Sequence, residues 1–69
     1  MFDLPQINQV VQINVFDDGR REFEKYINQW KVTKTMFKGG KIELINISDE
    51  TVKINSISSW KVKVLEMPE

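Results

Sequence analysis

The chain has 69 residues and a mass of 8.1 kDa, room for one domain at most, because a chain of about 60 residues buries only about 60% of the surface its unfolded state exposes. It contains no cysteine and no histidine, which removes disulfides, thiol nucleophiles, imidazole acid–base chemistry and the usual zinc ligands. Ten basic residues balance ten acidic ones, so no overall field draws nucleic acid or a membrane toward the chain, and any such binding has to come from a local patch.

Eight Ile, seven Val and three Thr stand against three Leu and no Ala, an inventory suited to strands because β-branched side chains lose rotamer freedom in a helix and pack well on a pleated surface. Met1-Phe2-Asp3-Leu4-Pro5 lacks the basic leader and apolar core of a signal peptide, and the longest apolar run is too short for a bilayer. The expectation is therefore a cytoplasmic chain with no membrane contact. The first strand is predicted over about Ile7 to Phe16, where Val11, Ile13 and Val15 alternate with polar residues. Asp17-Asp18-Gly19-Arg20 then reads as a tight hairpin turn, Asp-Gly being a preferred pair where positive φ is needed.

Residues 20–29 allow two readings. Phe23, Tyr26, Ile27 and Trp30 fall at the spacing of an apolar helix stripe, but Arg20 and Arg21 would place positive charge in the first turn, where the helix dipole disfavours it. A strand over Arg20 to Tyr26 is favoured, with one short helix over 20–29 in an α+β fold as the alternative. Lys38-Gly39-Gly40-Lys41 supplies the next reversal. Lys41 to Ile47 and Thr51 to Asn55 alternate on either side of Ser48-Asp49-Glu50, a second hairpin. Ser56-Ile57-Ser58-Ser59 reads as a bend, and Trp60 to Leu65 as a last strand with Trp60, Val62 and Val64 on one face and Lys61 and Lys63 on the other. Ile27 to Val32 and Ile57 to Val62 both spell I-x-x-W-K-V, which suggests two equivalent units. The fold class expected is all-β: a small antiparallel barrel, or two packed β-hairpin units, of five to six strands in a single domain over 1–69.

Val15-Phe16-Asp17-Asp18-Gly19, followed by Phe23 and then Trp30-Lys31-Val32, resembles the hairpin pattern of many small uncharacterised phage and prophage proteins. The excess of Ile, Asn and Lys without Ala resembles the coding of an AT-rich genome. The resemblance implies no catalysis.

Chemistry is sparse. Asp17-Asp18 and Asp49-Glu50 offer paired oxygens but no D-x-D-x-D-G loop, so solvated turns explain them and no metal is assigned. Ser56, Ser58, Ser59 and Lys61 would need a buried lysine of lowered pKa to act as a nucleophilic site, for which so small a fold has little volume. Lys38 to Lys41 lacks the spacing of a phosphate loop. No cofactor and no enzyme activity are expected.

Two binding surfaces remain. Trp30 and Trp60, ringed by Lys31, Lys61 and Lys63, would give an apolar anchor within a charged rim, the anatomy of a protein contact. This is the leading expectation: a module binding another protein, plausibly a phage-type modulator, and forming a homo-oligomer because a core this small gains burial by association. The alternative is single-stranded nucleic acid held by Lys31, Lys34, Phe37, Lys38 and Lys41 with a nearby Trp; against it, those lysines would simply guard a strand edge. A second alternative is a small signalling molecule bound between subunits.

Overall fold

The computed structural model describes residues 5–36 and 39–66. Five strands form one antiparallel sheet: β1 (Val10–Ile13), β2 (Trp30–Met36), β3 (Lys41–Asn46), β4 (Lys53–Ser58) and β5 (Val62–Glu66), in the spatial order β4-β3-β2-β1-β5. Two 3-10 helices interrupt them, η1 (Asp18–Lys25) between β1 and β2 and η2 (Ser59–Lys61) between β4 and β5. The protein is thus mostly β, as composition predicts. No helix among the described residues is long and apolar enough to cross a membrane.

Topology makes the sheet coil. β4 and β5 lie on opposite edges, which in a flat five-stranded sheet would be about 19 Å apart at about 4.8 Å per strand. Yet three residues join them, and the step from Ser58 to Val62 spans at most about 14 Å. The edges are drawn together, and the concave face closes over Val11, Ile13, Trp30, Val32, Ile42, Leu44, Ile54 and Ile57, all at most 4% exposed. Phe16, Phe23, Val52, Val62 and Val64 pack around them. The sheet does not close into a barrel, nor does it divide into two packed hairpin units, because β1 bridges β2 and β5 within one continuous ladder.

The hairpins follow the sequence in two places. Gly39 (φ 82°) and Gly40 (φ 61°) take successive positive φ values between β2 and β3, a conformation that glycine adopts without steric cost. The β3–β4 hairpin forms where alternation and polar turn residues place it. Its strand continues to Ser58 with Ile57 buried, so Ser56-Ile57-Ser58-Ser59 is strand running into η2 instead of a bend. The first strand is also shorter than predicted, Val10–Ile13 against Ile7 to Phe16.

The largest correction is η1. Asp17 to Arg20 turns the chain, with Arg20 N–H donating to Asp17 O at 2.8 Å. Gly19 does not adopt positive φ, and the turn opens a helix where a strand was expected over Arg20 to Tyr26. A 3-10 helix stacks residues three apart. That places Asp17, Arg20, Phe23 and Tyr26 in one row and Asp18, Arg21 and Glu24 in the next. The arginines that argued against a helix are each neutralised by an acid three residues earlier, Arg20 by Asp17 at 3.2 Å and Arg21 by Asp18 at 3.3 Å. Phe23 closes the core by meeting Trp30 edge-on, with centroids 5.7 Å apart and planes at 87°.

Candidate functional site

Cross-strand partners share a face of a sheet, so the register assigns each lysine its side. Lys31 lies opposite Val10 and Ile45, Ile45 opposite Lys53, Lys34 opposite Glu43, Lys41 opposite Met36 and Ser58, and Lys63 opposite Gln12. The core residues beside them in each strand point the other way. Lys31, Lys34, Lys41, Lys53 and Lys63 therefore share the convex face, and all five are exposed. Lys31 and Lys53 are two strands apart, as are Lys63 and Lys31, which spaces these cations by about 10 Å. Among the described side chains Glu43 is the one carboxylate on this face, where it accepts a hydrogen bond from Thr33 Oγ1 at 2.9 Å. Among the described residues none of the five lysines forms an ion pair.

Acids gather elsewhere: Asp17, Asp18, Glu22 and Glu24 at η1, and Asp49 and Glu50 in the β3–β4 turn. Zero net charge thus conceals a convex sheet face with five cations and one described carboxylate, whereas η1 mixes its acids with Arg20, Arg21 and Lys25. The location of the lysines also bears on what they do. Lys53 and Lys63 are on edge strands, where charge discourages edge-to-edge pairing. Lys31 on β2 and Lys41 on β3 have strand partners on both sides, whereas Lys34 lies beyond the part of β2 that β1 pairs. Edge protection does not explain Lys31 and Lys41.

Trp60 lies at a corner beside this face. η2 begins one residue after Ser58, the register partner of Lys41, and Ser59 N–H donates to Gly40 O at 2.8 Å. On the other side Asn14 N–H donates to Lys61 O at 2.7 Å. Trp60 is 65% exposed, and the Lys61 ammonium lies 5.4 Å from its ring centroid. Lys61 also pairs with Asp17, whose Oδ2 takes both Lys61 Nζ and Arg20 Nη1. Arg20 Nη2 donates in turn to the Ser56 carbonyl on the β4 edge. The hydrogen bond from Lys61 holds the Asp17 carboxyl below the usual aspartate range, burial opposing it and the charges of Lys61 and Arg20 adding to it.

The two predicted residue sets are redistributed by this geometry. Trp30 is fully buried, since its position on β2 opposite Val11 faces the core, so it is no surface anchor. Its copy of the I-x-x-W-K-V motif enters β2 at the tryptophan, whereas the other copy leaves β4 and runs through η2, and the two tryptophans are not equivalent. Lys61 offers no free cation to a rim, being committed to Asp17 with a side chain only 15% exposed. Lys31, Lys34 and Lys41 do come together, and Lys63 joins them from the other predicted set. Lys53 was missed: its neighbours in sequence mark it only as the polar half of an alternating strand. Phe37 and Lys38 lie outside the described residues.

A groove runs between η1 and the β4 edge, with cavities of about 490 and 310 Å³ that share Glu22, Phe23 and Lys53, so Lys53 borders both this groove and the convex face. Its other charged lining is Arg20, already held by Asp17, and Lys25. Comparison with protein-family models, with curated proteins and with solved structures finds no match for this chain.

Proposed function

We propose that the protein is a non-catalytic binding module that holds a single-stranded nucleic acid along the convex face of its sheet. The observation that supports this reading is the set of five lysines on one face, none of them in an ion pair among the described residues and three of them on interior strands. Among the described residues none of these cations is consumed by an ion pair, Lys31 and Lys41 are not placed to protect an edge, and together the five suit the repeated negative charge of a phosphate backbone. Half-buried Ile45 and Val10 between them give a firm floor without competing charge.

Fluorescence anisotropy with a thymidine oligomer of about a dozen nucleotides tests it. Replacing Lys31, Lys34 and Lys41 together by Gln is expected to weaken binding at low salt, with the slope of log affinity against log salt falling by about 0.7 per lysine removed. Undetectable binding by the wild-type chain at low salt, or an unchanged slope in the triple variant, would contradict the proposal.

A second reading, contact with another protein, is favoured by the 65% exposure of Trp60, since tryptophan commonly anchors interfaces. A phage-type modulator acting on a protein partner would use this corner. Self-association would draw on the same residue together with exposed Ile27 and Ile47, and light scattering that gives the monomer mass of 8.1 kDa at high micromolar concentration would remove it.

A further inference from the structure

We propose, resting on the nucleic-acid reading above, that Trp60 is the seat on which one unpaired base stacks and that Asp17 is the positioning residue that fixes this seat through Lys61. Trp60 is the one large aromatic side chain among the described residues that stands exposed. It is not loosely displayed. The backbone is pinned on either side by the Ser59 to Gly40 and Asn14 to Lys61 hydrogen bonds. The Lys61 ammonium next to the ring is itself tied to Asp17, which Arg20 anchors to the β4 edge through Ser56 O. An indole whose backbone is held on both sides has less freedom to lose when a base stacks on it, and the Ser59 to Gly40 hydrogen bond sets this segment next to Lys41, at one end of the lysine face.

The arrangement implies a choice between forms of nucleic acid. Duplex carries about twice the charge per unit length of one strand, so lysines alone would favour it. A stacking seat reverses the preference, because duplex bases are already stacked on one another and only an unpaired base can cover the indole. Lys61 contributes no phosphate contact while Asp17 holds it, so Asp17 also sets the number of cations the ligand meets.

Competition between a thymidine oligomer and a duplex of equal length, with Trp60→Leu, Trp60→Phe and Asp17→Asn beside the wild type, tests both parts. The wild type is expected to prefer the single strand by about tenfold. Trp60→Leu should abolish the preference with the salt slope unchanged, and Trp60→Phe should retain most of it. Asp17→Asn, by freeing Lys61, should steepen the single-strand slope by about 0.7. Equal affinity of the wild type for both forms, or a preference that survives Trp60→Leu, overturns the seat while leaving the lysine face intact. An unchanged slope in Asp17→Asn overturns the role of Asp17. Failure of the wild type to bind either form removes the underlying reading and this proposal with it.

Discussion

Asn46 and Asn28 hold together backbone segments that no strand pairs. Asn46 is completely buried, yet both ends of its amide are hydrogen-bonded: Nδ2 donates to Ile27 O at 3.0 Å, and Oδ1 accepts from Ser48 N, Ser48 Oγ and Asp49 N. It ties the end of β3 to the chain entering β2 and shapes the turn that follows. Asn46→Ala leaves these groups without partners, and urea unfolding is expected to show a loss of about 2–3 kcal/mol. Asn28 does the same for β1, with Oδ1 accepting from Ile13 N–H at 2.8 Å and from Trp30 Nε1 at 3.2 Å, and Nδ2 donating to Ile13 O at 2.9 Å. Neither role is legible in sequence, where both residues read as ordinary loop or strand-end polar positions, because the bonds that join segments, Asn46 to Ile27 and Asn28 to Ile13, run to residues 15 or more places distant. Asp17 gives a pH prediction. Its folded pKa is depressed, so the stability it contributes is fully present above the unfolded value of about 4 and is lost as pH falls through the folded value. Acid unfolding of Asp17→Asn is expected to show a shallower dependence on pH below about 4 than the wild type; an identical acid limb would mean the Lys61 contact contributes nothing.

The elements that alternation and turn chemistry predict are those whose local preference agrees with their partner. β3 and β4 read off directly, as does the reversal at Gly39-Gly40. Substituting either glycine by Ala there is expected to lower stability by about 1–2 kcal/mol in thermal unfolding. At Gly40 the cost is conformational, since a Cβ would stand 3.7 Å from Ser59 Oγ, an ordinary contact. η1 was harder to read because two signals conflicted. The spacing of Phe23 and Tyr26 suits a helix, while Arg20 and Arg21 count against one only until Asp17 and Asp18 are recognised as their counter-charges. The I-x-x-W-K-V echo misleads for a different reason: which strand a segment joins is decided by tertiary pairing, and one copy pairs with β1 and β3 while the other carries the chain around a corner.

The molecule as a whole is a coiled sheet with a dry concave face and a basic convex one. Its strand class and its lysines were visible in the sequence. The assembly of the lysine face was not, because Lys31, Lys53 and Lys63 are far apart along the chain and meet only through the β4-β3-β2-β1-β5 order. The buried state of Trp30 and the exposed state of Trp60 likewise depend on register and on η2, which identical flanking letters cannot distinguish. Net charge is equally uninformative, since a zero sum is compatible with five cations and a single described carboxylate on one face. Where a ligand sits on this surface is observable directly by following backbone amide and indole NMR resonances during titration with the thymidine oligomer. The proposed nucleic-acid reading predicts shifts at Lys31, Lys34, Lys41, Lys53 and Lys63, with the Trp60 indole N–H moving and the buried Trp30 indole N–H, hydrogen-bonded to Asn28, remaining still. Shifts confined to the groove between η1 and β4, or no shifts at low salt, would contradict it.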